Sequence, residues 1–216
     1  MDKIIYVFAG PNGSGKSTVI NKFLKDKICP EYYICPDNLV PKDQKDILAI
    51  YIKAMEYAEY LRHKALNEGN SFTFETVLST RSKLDFIVEA KSEGYKIVAI
   101  YITTSDCNIN INRIAERVKR GGHDVPTDKV ISRYEKSMDL MFDVISVCDE
   151  AKVYDNSSSI PIQVFQKNDD GSIVLLNREQ RHSWVNKYLI EKIKANDISD
   201  FRDLSCSESE QYISKN

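Results

Sequence analysis

The segment Gly10-Pro11-Asn12-Gly13-Ser14-Gly15-Lys16-Ser17 constrains this chain more than any other. It fits the pattern GxxxxGK[ST] in full, and its setting fits as well. Before it runs the apolar stretch Ile4 to Ala9, read as a buried parallel strand. After it, Lys16 to Lys25 has helical spacing, with Val19, Ile20, Phe23 and Leu24 on one side. Glycines let such a turn curl so that backbone N–H groups face inward, and the helix N-terminus adds positive potential there. The turn is therefore a phosphate cradle. Lys16 is placed to reach β- and γ-phosphates, Ser17 to help hold Mg²⁺, and Thr18 to donate to an α-phosphate. A chance match in a glycine-rich turn is the bland alternative, and the flanking elements argue against it.

Strand-like and helix-like segments then alternate. Tyr32 to Cys35 is a short second strand ended by Pro36, and a helix follows from about Gln44 to Asn67, stopped by Gly69. Ser71 to Glu75 is a third strand and Ile97 to Thr103 a fourth, with a helix from Arg81 to Ser92 between them. Helices over Asp106–Lys119 and Thr127–Val147 precede a fifth strand at Lys152–Asp155. This order predicts an α/β fold of the P-loop NTPase or kinase type: a mainly parallel five-stranded sheet with helices on both faces.

Beyond Asn156 the pattern changes. Ile160–Gln166 and Ser172–Leu176 flank the turn signal Asp169-Asp170-Gly171, so a β-hairpin is expected, followed by a helix over Glu179–Lys194. The expected partition is one domain over 1–195, with a core of about 1–158 and the hairpin and helix at 159–195. Residues 196–216 are polar and Ser/Glu-rich and read as a mobile tail.

Composition narrows the setting. With 42% hydrophobic and 29% charged residues the chain has a globular balance, and no apolar run approaches the ~20 residues a bilayer span needs. The start of the chain reads as a strand rather than a signal peptide. Five scattered cysteines with no CxxC pair speak against a disulfide framework or zinc site and for a cytoplasmic home. A formal net charge of -2 gives no general attraction to membrane or nucleic acid, although a local basic patch stays open.

In open α/β sheets chemistry sits beyond the carboxyl ends of the strands. Asp37 follows the second strand and Glu75 ends the third, so both should open onto the crevice of the phosphate cradle. A carboxylate there can accept the proton of an acceptor hydroxyl. For Asp37 the alternative is a turn or capping residue ahead of the Pro41 loop, and for Glu75 a solvated strand end. Thr76 and Arg81, on the way into the next helix, complete the substrate-side candidates.

Further along, Arg113, Arg117, Lys119 and Arg120 converge on Gly121-Gly122-His123, with Pro126 and Arg133 beyond. Arg113, Arg117 and Arg120 share one helical face, and the glycine pair allows a hinge. Arginines on such a flap can neutralise charge on a moving phosphoryl group, while the alternative is a solvated basic face, which suits Arg113 best. His123 is ambiguous between a catalytic and a structural role.

Taken together, Gly10–Thr18, Pro36-Asp37, Phe74-Glu75-Thr76, Arg117 through Pro126, Arg133-Tyr134 and Tyr154-Asp155-Asn156 resemble the zeta-toxin family of P-loop kinases. The resemblance spans about residues 1–158, and the chain is shorter than full-length toxins, similar to the compact branch of that family. It implies transfer of the ATP γ-phosphate, with Mg²⁺, to a small-molecule hydroxyl, in characterised toxins that of UDP-N-acetylglucosamine. It further implies Asp37 as the base, and Lys16, Arg120 and Arg133 as phosphate-handling groups. Arg117 joins the nucleotide contacts, Glu75 binds substrate or orients the metal site, and Asp155-Asn156 lies near the adenine pocket. An antitoxin protein is the implied partner. Two other readings stay open: a nucleoside, antibiotic or polynucleotide kinase of similar fold, and a nucleotide-binding switch. The switch lacks a persuasive Walker B aspartate, since Ile97–Thr103 is followed by none before Asp106.

Overall fold

The computed structural model describes residues 3–40, 47–122 and 124–215. His123, Pro41 and the expected helix start at Gln44 lie outside them.

The first strand, β1 (Ile4–Ala9), alternates its side chains between two cores. Ile5, Val7 and Ala9 enter one, Phe8 with Ile4 and Tyr6 the other. The fourth strand, β4 (Lys96–Thr103), does the same: Ile97, Ala99 and Tyr101 face one side, Val98, Ile100 and Ile102 the other. With both faces apolar, each needs a helical cover. On the smaller face α1 (Lys16–Lys25) supplies Ile20, Val19, Phe23 and Leu24, with Phe23 edge-on to Phe8 at 5.3 Å. On the larger face α2 (Ile47–Asn67), α3 (Ser82–Ser92) and α5 (Thr127–Val147) bury residues such as Ala58, Phe86 and Met141. The remaining helix, α4 (Cys107–Lys119), meets α5 through a small cluster of Ile114, Val125 and Val130.

Strands β2 (Tyr33–Ile34), β3 (Phe72–Thr76) and β5 (Glu150–Asp155) complete the expected parallel set, in the order β2-β3-β1-β4-β5. Their carboxyl ends rise on one side, and register pairs Phe8 with Glu75 and Thr103 with Asp155. The cradle, Glu75 and Asp155 therefore share one rim.

The sheet does not stop at five strands. β6 (Ile162–Lys167) pairs antiparallel with β5, β7 (Ile173–Leu175) antiparallel with β6, and the order continues to an eighth strand. The expected hairpin is real, but it extends the main sheet rather than hanging from it. The eighth strand, β8 (Phe201–Asp203), lies parallel to β7 and falls in the stretch read as a mobile tail. Helix α8 (Cys206–Ile213) follows, opened by a capping box between Ser205 and Glu208. The serines and glutamates that signalled solvation serve as helix caps, and Ser209 is buried. The expected helix over 179–194 is also interrupted. A turn at Arg178–Gln180 precedes α6 (Ser183–Val185), a π-helical turn at Asn186–Ile190, and α7 (Glu191–Ala195). The wide turn sits between buried Trp184 and Val185 and buried Ile193.

Candidate active site at the carboxyl ends of the parallel strands

The cradle is clamped before any ligand is considered. Gly10 (φ 139°) sits so close to β4 that a Cβ would stand 1.9 Å from the Ile102 carbonyl oxygen. A Cβ on Gly13 (φ 76°) would stand 2.6 Å from the Asn110 carbonyl oxygen of α4. Only glycine fits these positions, for backbone angle and for space. Two side-chain amides then hold the loop's carbonyls. Asn110 Nδ2 donates to Asn12 O at 2.7 Å, and Asn156 Nδ2 donates to Ser14 O at 2.7 Å. Thr104 Oγ1 fixes Asn110 by donating to its Oδ1. Carbonyls engaged from outside leave the opposite peptide edges, the N–H groups, for an anion. The buried Ser14 hydroxyl has no partner among the described residues, as suits a cradle built for polar ligand atoms.

Lys16 is 5% exposed and donates to Gly10 O (2.8 Å) and Pro11 O (2.9 Å). Burial lowers its pKa; Glu75, Asp37 and Cys35 oppose that shift, and Arg117 adds to it. The same electrostatics locates its neighbours. Glu75 Oε1 lies 3.7 Å from Lys16 Nζ, while Glu75 Oε2 accepts the Tyr33 hydroxyl at 2.8 Å. Burial, then the Glu75 charge, pushes the Tyr33 pKa far above the ordinary phenol value, so Tyr33 is a neutral donor.

Asp37 sits in a single turn of 3₁₀ helix, Pro36–Leu39, with an exposed side chain. Its carboxylate acts on Lys16 and also on half-buried Tyr51 of α2. Burial raises the Tyr51 pKa first, and Asp37 raises it further by charge and hydrogen bonding, with Arg133 pulling the other way. Asp37, Glu75 and Arg117, from three separate elements, thus act on Lys16, and Arg133 acts with Asp37 on Tyr51.

The other sequence candidates fall into three groups. Arg120 is the exposed C-cap of α4, and with Arg113, Arg117, Asn112, Glu116 and Gly122 it lines a cleft of about 500 Å³. Ser17 and Thr18 are exposed at the start of α1. Arg113 does more than face solvent: its Nη2 approaches the carbonyls of Ser157 (3.5 Å) and Ser158 (3.4 Å) after β5. Three residues have their described bonds within the scaffold. Thr76 gives its carbonyl to Gly10 N (3.2 Å) and its Oγ1 to Leu78 N (3.0 Å). Arg81 pairs with Asp143 of α5 at 3.4 Å. Asp155 is buried and accepts from Ser157 and from Trp184 Nε1, whereas its neighbour Asn156 touches the cradle.

Tyr33, Tyr51 and Asn110 were not singled out from sequence. Tyr33 had a signal, since it lies on the strand beside Glu75, two positions before Cys35-Pro36-Asp37. Asn110 had one too, as a polar residue on the inner side of an amphipathic helix.

No protein-family model matches the chain. A Haemophilus influenzae protein described as uncharacterised is 35% identical over 129 residues, covering 59% of this chain and 89% of that protein. The chain belongs to that protein's family. Among solved structures, an AvrRxo1-ORF1:AvrRxo1-ORF2 complex with sulphate ions aligns at TM-score 0.68 and 14% identity over 87% of this chain. This chain spans 63% of the length of that one. A structure from the PezAT chromosomal toxin–antitoxin system of Streptococcus pneumoniae aligns at TM-score 0.55 and 17% identity, over 76% of this chain and 71% of the other. The Pnkp1/Rnl/Hen1 RNA repair complex contains a chain aligning at 0.52 and 12%, over 94% and 70%. At these identities the likeness establishes the fold alone, a mostly parallel α/β sheet flanked by helices that this chain shares with those structures. Among the described residues no helix is long and apolar enough to cross a membrane.

Proposed function

We propose that the chain transfers the γ-phosphate of ATP to a hydroxyl group of a small molecule. The observation that carries this is Glu75 facing the cradle lysine at 3.7 Å, with the Asp37 charge acting on the same lysine. A carboxylate in reach of an acceptor hydroxyl is what phosphoryl transfer needs beyond nucleotide binding. A solved AvrRxo1-ORF1:-ORF2 complex with ATP, similar in fold at TM-score 0.64 and 16% identity, adds support for the donor.

Each residue's part follows from its place. Loop N–H groups and Lys16 hold the donor phosphates, and Arg117 on α4 and Arg133 on α5 supply further positive charge. Asp37, at the solvent-exposed mouth, takes the proton of the acceptor hydroxyl as its oxygen bonds to phosphorus. Glu75, held by Tyr33, orients Lys16 and borders the acceptor. Arg120 closes over the donor from the Gly121-Gly122 hinge. The hard oxygen donors here, the Ser17 hydroxyl and the nearby carboxylates, suit Mg²⁺, which when bound would neutralise phosphate charge.

For the acceptor we favour a sugar nucleotide, UDP-N-acetylglucosamine, on the resemblance carried by Pro36-Asp37, Phe74-Glu75-Thr76 and Arg120 through Pro126. An antitoxin partner rests on the same resemblance, and the PezAT likeness is in keeping with it. The test is ADP release with ATP and Mg²⁺, alone and with UDP-N-acetylglucosamine, nucleosides, aminoglycosides and a 5′-hydroxyl oligonucleotide. Stimulation by the sugar nucleotide is expected. Stimulation by another class alone would replace the acceptor, and no stimulation by any of them would count against phosphoryl transfer to these classes.

A further inference from the structure

We infer that Trp184 is a positioning residue for the phosphate cradle, acting through Asp155 and Asn156. This gives a role to the C-terminal segment, which lies beyond the sequence motifs at about residues 1–158, and it rests on the nucleotide reading above.

The path is continuous. Trp184, 5% exposed in α6, donates its indole N–H to Asp155 Oδ2 at 2.7 Å. Asp155, 4% exposed at the end of β5, receives Ser157 N (2.8 Å) and Ser157 Oγ on its other oxygen. Ser157 Oγ in turn accepts Ser105 N at 2.8 Å, tying the loop to the end of β4. The next residue, Asn156, is fixed by its own N–H to Thr103 O (2.7 Å) and donates Nδ2 to Ser14 O (2.7 Å). Its amide presses on the cradle so closely that a Cβ on Gly15 would stand 2.3 Å from Nδ2.

Two adjacent residues at a strand end point opposite ways, Asp155 into the larger core and Asn156 into the cradle. A buried carboxylate keeps its orientation only while its donors are supplied. His182 Nε2, at 3.9 Å, is too far to replace the indole as a hydrogen-bond donor. Removing the indole N–H leaves one oxygen of Asp155 unsatisfied, and the carboxylate turns, taking the Asn156 backbone with it. The contact with Ser14 then loosens. A helix far along the chain thereby sets the geometry of a loop near its start.

The test uses the full chain with Trp184→Phe, which keeps an aromatic ring and deletes the donor. Amide hydrogen exchange at Ser14, Gly15 and Lys16 should accelerate while β1 and β4 amides keep their rates. ATP binding by calorimetry should weaken about tenfold, the equivalent of one hydrogen bond to a charged acceptor. Ile193→Val, which trims the same segment at a fully buried site away from Asp155, should do neither. Unchanged cradle exchange in W184F, or the same acceleration in I193V, would overturn the inference. The exchange arm needs no nucleotide: if the wild type fails to bind ATP, the nucleotide reading falls while the relay is still decided. Should W184F not fold, the relay is read from its other end. Asn156→Ala should shift the emission of Trp184, the only tryptophan, and unchanged emission would sink the proposal.

Discussion

The Tyr33 hydroxyl donates to Glu75 Oε2 over 2.8 Å while the other oxygen of Glu75 faces Lys16 at 3.7 Å. One phenol on a two-residue strand thus sets the direction of the carboxylate that faces the cradle lysine. Tyr33→Phe should keep the fold and lower kcat for ADP release by about tenfold, the scale of one charged hydrogen bond. Full activity in Y33F would reduce the contact to packing.

Lys16 has a folded pKa below its ordinary value, first because it is buried, with Glu75 the strongest opposing influence. In the window between the lowered and the ordinary value the unfolded chain binds more protons, so this group's contribution to stability rises with pH there. ATP binding runs the other way, because it needs the charged ammonium. Glu75→Gln should therefore move the alkaline loss of ATP affinity to lower pH, read by calorimetry across a titration below the ordinary lysine value of 10.5. An unshifted profile would mean that Glu75 does not sustain the Lys16 charge.

Asp37 lies at the mouth of the site and touches the fold lightly. Asp37→Asn should cost about 10²–10⁴ in kcat, the usual range for a lost general base. ATP affinity should stay near wild type in the same preparation. Full turnover in D37N would leave Asp37 as a turn residue.

The glycines offer a contrast. Gly10→Ala drives a Cβ against the Ile102 carbonyl, which is backbone and cannot step aside, so thermal stability and ATP binding should both collapse. Gly94 also has a positive φ, but nothing lies within 4 Å of its Cβ position. Gly94→Ala should cost only backbone strain, about 1 kcal/mol, in a denaturant titration. Equal losses at both positions would show that space is not the deciding factor.

The parallel half of the molecule was legible because its signals are local and mutually consistent: an apolar strand, a glycine turn, then an amphipathic helix. The placement of Asp37 and Glu75 on one rim was legible for a topological reason, since the carboxyl ends of parallel strands lie together. The inward turn of the Asp155 side chain was not, because a rim position can point a side chain either way, and its donor Trp184 is distant in sequence. The stretch 196–216 misled for another reason. Average polarity hides a capping box and a three-residue strand whose partner, β7, must already be in place. Deleting residues 199–216 should accordingly lower the melting temperature, since Arg181 loses Asp203 and β7 loses its neighbour. An unchanged melt would return that stretch to the status of a tail.

The sheet begins at β2, two residues long, and ends at β8, three residues long. A rim so short gives an incoming strand almost no run of free backbone groups to copy, so addition of a second chain finds little footing at either end. The C-terminal strand is, in this sense, a stopper on self-association, and its loss would uncover a buried, wholly apolar β7 as a sticky border.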